Sequence, residues 1–186
     1  MDGPVLPPTA FVLPRRRPLV VVKADLLPAV SVLCVVGLLG IPLGWLWSRL
    51  APPERVYVRD ANLVIPLQLE SWHRFDDLAI FGLVGLAAGL CTGIAVWMLR
   101  ERRGPVIMIA AAFGALLSAW LCAKIGLAFA NSHYALSGAP APNSVINEAP
   151  RLETMWVIVA QPLATALVYG LLAGWNGRDD LGRRLG

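Results

Sequence analysis

Charged residues are scarce in this chain, at 15% of its 186 residues, whereas hydrophobic residues make up 57%. Soluble domains carry about 25% charged residues, so this composition excludes an ordinary soluble fold. The shortage of charge is concentrated in four apolar stretches, which together contain one charged side chain, that of Lys124. Such stretches predict an all-α membrane protein surrounded by a lipid bilayer.

Cysteine is also rare, and no familiar catalytic motif is present. The three cysteines, Cys34, Cys91 and Cys122, all lie inside apolar stretches. We interpret them as small packing residues rather than as a disulfide or zinc framework. The sequence contains no phosphate-binding glycine loop, dinucleotide fingerprint, nucleophile elbow or zinc-protease signature. We therefore expect no enzymatic activity and no cofactor.

The four apolar stretches are each long enough to cross a hydrocarbon core of about 30 Å as a helix. Their predicted bounds are 26–47, 78–99, 105–129 and 155–175. The sequence therefore predicts a four-transmembrane-helix bundle. The remaining segments are a Pro- and Arg-rich tail at 1–25, two loops at 48–77 and 130–154, and a short tail at 176–186.

The basic residues predict how these spans are oriented. The short connection Arg100–Arg103 carries three arginines, and such a loop is retained on the cytoplasmic side. Assigning the other segments alternately places ten basic residues on that side and five on the opposite side. We predict a multi-pass plasma-membrane protein with both termini in the cytoplasm. The pI of about 9.3 therefore does not indicate a nucleic-acid partner, because the arginines flank the spans.

The two outer loops differ in character. In the first, two short runs of β-type residues flank Asp60, Ala61 and Asn62, and Pro66 makes the second run an edge strand. We predict a small extracytoplasmic β-hairpin. Because an isolated hairpin is marginal in water, it needs a surface, which is either this chain's own bundle or a partner protein. The second loop, at 131–152, is predicted to be irregular and mobile.

Small residues recur every four positions in the second and third spans, where they let helix backbones approach closely. They are Gly85, Gly89 and Gly93 in the second span, and Ala110, Gly114, Ser118, Cys122 and Gly126 in the third. Because only five residues connect these spans, we predict that their small faces meet. The alternative is a homodimer formed through one of these stripes of small residues.

Two prolines mark predicted irregularities within the spans. Pro42 is a predicted kink point in the first span. In the fourth span, Gln161 needs a hydrogen-bond partner, and Pro162 frees a backbone carbonyl one turn earlier.

The first candidate site combines Lys124 with Asp76 and Asp77. Lys124 lies 19 residues past Pro105, about 28 Å along a helix, which places it near the outer interface. The structural interpretation is a lysine that extends to the interface and pairs with one of the aspartates, either of which caps the second helix. The functional alternatives are a proton or ion pathway, and a contact with a partner or lipid.

The second candidate site is the cluster His73, Arg74, Asp76 and Asp77, with His133 predicted on the same side. The spacing of His73 from the aspartates permits metal binding, and a pocket lined by His73, Arg74 and Asp77 would suit a lipid-linked substrate. One short cluster with one distant histidine is weak support for a metal. Ordinary interfacial polar residues are the favoured interpretation.

Three further stretches of the chain are informative: Ala51–Pro53 continuing through Pro66–Asp76, then Gly89–Trp97, and Arg102–Pro105. They resemble a family of small integral membrane proteins from actinobacteria that is known only as a domain of unknown function. The resemblance covers roughly residues 50–130 and implies a four-span plasma-membrane protein. It implies no activity, and it assigns no role to Asp76 or His73.

The favoured function is non-enzymatic: a structural or accessory subunit of a membrane or cell-envelope complex, with a membrane-protein partner or a second copy of itself. A small transporter or ion pathway that uses Lys124 with Asp76 or Asp77 is the alternative. A membrane enzyme acting on a lipid-linked substrate is a third hypothesis.

Overall fold

The computed structural model describes residues 22–60, 63–66, 72–99, 103–135, 141 and 143–176. The elements are helices α1 (Val22–Leu38), α2 (Gly40–Leu50), α3 (Trp72–Trp97), α4 (Pro105–His133) and α5 (Ala160–Trp175), strands β1 (Glu54–Asp60), β2 (Leu63–Pro66) and β3 (Ser144–Glu148), and a 3₁₀ helix (Met155–Val159). Within this part of the chain, four helical segments are long and apolar enough to cross a membrane. They are Leu26–Leu50, Phe75–Trp97, Pro105–His133 and Met155–Trp175. The four-helix prediction is confirmed.

The first span consists of two helices, because the helix is interrupted at Leu39. Pro42 has no N–H to donate to the Leu38 carbonyl one turn earlier, which accounts for the interruption. The helix resumes with a hydrogen bond of 3.2 Å from the Leu43 N–H to the Leu39 carbonyl. The fourth span likewise begins as a 3₁₀ helix just before Pro162.

Helix α4 lies at the centre of the bundle and packs against α1, α2 and α5. Its small residues face the first span: Gly114 lies against Leu33 of α1, and Gly126 lies against Gly44 of α2. Backbones this close gain dispersion contacts that larger side chains would prevent.

The prediction that the small faces of the second and third spans meet is wrong. The α3 stripe faces α5, where Gly85 and Gly89 lie against Gln161, and Gly93 lies against Val168. A short connection makes two helices antiparallel neighbours, but it does not decide which of their faces meet.

A three-stranded antiparallel sheet joins the two loops at one end of the bundle, in the order β2-β1-β3. The predicted hairpin of β1 and β2 is confirmed, and Val56 and Val58 on one face of β1 are buried within the chain. Residues 61–62 of the predicted turn lie outside the described part. The prediction of an irregular second loop is wrong at β3. This segment forms a strand because it pairs with β1, and its own composition does not reveal that partner.

Gly89 provides a test of the close approach between α3 and α5. A Cβ atom at this position would lie 2.7 Å from the Ala164 Cβ and collide with the backbone of α5. We expect Gly89→Ala to destabilise the bundle by about 1–3 kcal/mol, as overpacked interiors do. Thermal unfolding in mild detergent measures the loss.

Gly170→Ala is the matched control, since an added Cβ at Gly170 has nothing within 4 Å. Equal midpoints for the two variants would contradict the tight contact at Gly89.

Candidate functional site

The most constrained polar site lies at the sheet end of the bundle and is organised by Trp47. This side chain is fully buried, and its ring makes an edge-to-face contact with Phe81 at a centroid distance of 5.9 Å. Its indole N–H donates to the backbone carbonyl of Asp77 at 3.2 Å. Gly126 leaves space for the indole, because a Cβ there would lie 2.8 Å from the ring. The indole therefore joins α2, α3 and α4.

Asp77 places a carboxyl group beside this apolar cluster. The residue is only 4% exposed, and its Oδ1 atom has no hydrogen-bond partner among the residues that the structure describes. The backbone N–H of Arg151 interacts with the carboxyl group, which ties α3 to the segment that follows β3. Pro150 on that segment is buried as well. A buried polar atom left without a partner carries a desolvation cost, so Asp77 is the clearest functional candidate.

The aspartates do not cap their helix, which corrects the structural interpretation made from the sequence. Helix α3 begins at Trp72, so Asp76 and Asp77 lie in its second turn rather than at its N-cap. The apolar pattern that marks the span starts later than the helix itself, and the polar residues before it continue the same helix. Asp76 is exposed, in contrast to its neighbour.

Among the residues that the structure describes, Lys124 forms no bond with the Asp76 or Asp77 carboxylate. Its side chain is exposed, and it shares a helix face with the exposed residues Phe113, Leu117 and Trp120. No salt bridge joins Lys124 to Asp76 or Asp77 within the described ranges. The lysine therefore lies on the outward face of α4.

The histidines and Arg74 form no described cluster. His73 and Arg74 belong to the first turn of α3, but their side chains lie outside the described part. His133 is exposed at the end of α4, where its ring contacts Tyr134 at 5.0 Å. In the described ranges, no three His, Cys, Asp or Glu residues are grouped closely enough to hold a metal ion.

A second polar cluster lies inside the bundle, where Gln161 finds the partner that its apolar surroundings demand. The side-chain amide of Gln161 donates to the Ser118 hydroxyl at 3.1 Å. The Thr165 hydroxyl donates to the Gln161 carbonyl at 3.0 Å and lies 3.3 Å from the Gly89 carbonyl. These bonds connect α3, α4 and α5 and satisfy the polar groups internally, as an apolar solvent requires.

A third cluster, which the sequence did not reveal, closes the opposite end of the bundle. The Tyr169 hydroxyl accepts from the Gly104 N–H at 3.0 Å, and its ring meets Trp97 edge to face at 5.3 Å. The Arg103 guanidinium stacks on Trp97 at 4.0 Å and donates to its carbonyl at 2.9 Å. The only sequence signals for this arrangement are Tyr169 late in the fourth apolar span, and Arg103 and Gly104 in the short connection between the second and third spans.

The fold and these clusters define a class: a bundle of four helices capable of spanning a membrane, fastened internally by polar side chains and covered at one end by a small sheet. The chain belongs to the family described as Protein of unknown function (DUF2567), whose family model matches residues 35–183. The resemblance stated from the sequence is therefore confirmed.

Mycobacterial relatives share most of the length of the chain. "Uncharacterized protein ML1222" of Mycobacterium leprae is 32% identical over 178 residues, which cover 81% of this chain and 86% of the relative. "Uncharacterized protein Rv1591" of Mycobacterium tuberculosis is 29% identical over 167 residues, covering 77% and 84%. No solved structure matches the chain. None of these names states an activity.

Asp77→Asn tests whether the buried carboxyl group costs stability. The amide keeps the shape and an oxygen acceptor for the Arg151 N–H, and it cannot ionise in this apolar site. We expect a stabilisation of about 1 kcal/mol, seen as a higher thermal midpoint in detergent, because the cost of burying a charge is removed while an unpaired NH₂ group remains buried. Asp76→Asn, at the adjacent exposed position, serves as the control and should change the thermal midpoint less than Asp77→Asn does, because an exposed carboxylate pays little desolvation cost. A lower midpoint for Asp77→Asn would show that the carboxylate stabilises the fold.

Proposed function

We propose that this chain is a plasma-membrane protein that acts as a non-enzymatic structural or accessory subunit of a membrane or cell-envelope complex. Its termini lie in the cytoplasm, and the sheet lies on the outer side. The four apolar helices and the concentration of arginine at 100–103 support this placement.

The observation that carries the proposal is the exposed face of the sheet. Residues paired across β1 and β3 share a face, and here Arg55 pairs with Asn147 and Tyr57 pairs with Val145. Val145 is 55% exposed, although it is apolar. Strand β3 is an edge of the sheet, and an edge strand offers backbone groups that another chain can extend. The surface therefore suits a protein partner.

The sheet is also fastened firmly enough to position a partner. Its second face buries Val56 and Val58, and the residues just after β3 reach the Asp77 carboxyl group through the Arg151 N–H. A bound protein would therefore be held by the bundle and not by a loosely tethered loop.

The transport alternative has less support. Its three residues are Lys124, Asp76 and Asp77, and the lysine lies on the outward face of α4 without a described bond to either aspartate. The Gln161 cluster offers no open path, because its members already bond to one another. Unchanged flux through vesicles containing Lys124→Met would remove this alternative.

The proposed orientation is tested by labelling single cysteines. In a variant with Cys34, Cys91 and Cys122 replaced by alanine, we expect Val145→Cys to react with a membrane-impermeant maleimide in intact cells. A cysteine added after Gly186 should react only after the cells are opened. The reverse pattern would invert the proposed topology.

The proposed role is tested by capturing the tagged full chain from native membranes in mild detergent and identifying its partners by mass spectrometry. We expect a stoichiometric partner that is lost from Val145→Asp, because a charge would be buried at the exposed sheet face.

Ala141→Asp is the control, because Ala141 is exposed but lies outside the strands. A lone chain from every preparation, or a partner retained equally by both variants, would contradict the proposed surface.

A further inference from the structure

A long apolar groove separates the first span from α3. Two adjoining cavities of about 500 and 480 Å³ form it, and they share Leu39, Thr92 and Ala95 in their walls. On the first span the lining runs from Leu27 to Leu46, about 28 Å at 1.5 Å per residue. The groove therefore extends over nearly the whole hydrocarbon thickness of about 30 Å.

The walls of the groove present no polar group that needs a partner. The wall from the first span is mainly aliphatic, and the α3 wall consists largely of small residues such as Ala87 and Cys91. The Thr92 hydroxyl donates to the Ala88 carbonyl of its own helix at 2.7 Å, and the Ser31 hydroxyl donates to the Leu27 carbonyl of its own helix at 3.1 Å. Whatever fills the groove is therefore apolar along its length.

Helices α2 and α3, which flank part of the groove, have some Cα atoms within 8 Å of each other, so their backbones are in contact there. In that part the groove leaves room for a slender apolar chain, since a helix with its side chains is about 10–12 Å across. A flexible hydrocarbon chain can follow such a groove, including the part where the first span is interrupted at Leu39.

A positive charge lies at one mouth of the groove. Arg49 follows the lining residue Leu46 by three positions, which places it on the same face of α2, one turn nearer the sheet. Its side chain is exposed, and its guanidinium lies 5.8 Å from the centre of the Trp45 ring. Among the described residues, no carboxylate pairs with it. An arginine beside an interfacial tryptophan matches the position and charge of a lipid phosphate.

We propose that this groove is a binding site for an anionic phospholipid of the surrounding bilayer. An acyl chain lies between the first span and α3, and Arg49 binds the phosphate. The site is independent of the protein-binding sheet and of the orientation of the chain, because either leaflet supplies such a lipid.

Native mass spectrometry of the full-length, delipidated protein tests this site with phosphatidylglycerol and phosphatidylcholine as the probes. We expect one retained phosphatidylglycerol per chain. Ala87→Phe should weaken its binding about tenfold by filling the groove, whereas Ala128→Phe, on the exposed face of α4, should not. Arg49→Gln should remove the preference for phosphatidylglycerol over phosphatidylcholine, since that preference depends on one charge-assisted contact. Arg55→Gln, on the sheet, should keep it.

Photolabelling of the wild-type protein gives a second readout that does not depend on any variant. A phosphatidylglycerol with a diazirine in its acyl chain should label peptides of the first span and α3 around Leu39 and Cys91. Equal labelling of the exposed α4 face around Leu117 would mean ordinary surrounding lipid and overturn the proposal. A dimer whose groove residues are shielded from the label would overturn it in favour of a second copy.

Discussion

The close approach of helix backbones is the constraint on which this bundle depends. Lipid chains are as apolar as leucine, so hydrophobic burial does not drive helices together inside a membrane. Helix α4 compensates with a stripe of small residues, in which Gly114 lies against the backbone of α1 at Leu33 and Gly126 lies against the backbone of α2 at Gly44. The equivalent stripe on α3 reaches α5. The bundle therefore consists of two tightly packed pairs joined through α4, and the groove beside the first span lies where no such pairing occurs.

Polar side chains supply the specificity that dispersion alone lacks. They act at three levels: Trp47 with Asp77 under the sheet, Gln161 with Ser118 in the interior, and Tyr169 with Gly104 at the opposite end. The first two bonds join different helices, and the third joins α5 to the connection before α4, so a rotated or shifted helix would leave a polar group unpaired in an apolar solvent. These contacts determine which helix faces pack together, which the stripes of small residues alone would leave undetermined.

The number of spans and the hairpin could be predicted from the sequence because both depend on local patterns. The apolar stretches determine the spans, and β-type residues around Asp60 determine the hairpin. The need of Gln161 for a partner could also be predicted, since an amide among apolar residues must be satisfied. Its partner Ser118 could not be identified, because it is 43 positions away in the chain.

The errors share the same physical origin. The wrong pairing of helix faces arose because a short connection specifies neighbours without specifying rotation. Strand β3 was missed because its stability comes from β1, which lies about 90 residues earlier in the chain. The burial of Asp77 could not be predicted, because helix α3 begins at Trp72, several residues before the apolar pattern of the second span begins. In each case, the outcome depended on distant residues rather than on local composition.

The order of the strands has a consequence for how the chain is built. Strand β1 lies in the middle of the sheet, yet β3 follows α4 in the sequence. During synthesis β1 therefore has only β2 beside it until the third span has been made and Ser144–Glu148 has emerged. In that interval one edge of β1 is open to pairing with other chains, as unpaired edges are. Arrival of β3 closes that edge, so a completed sheet marks a chain in which α4 has already been made.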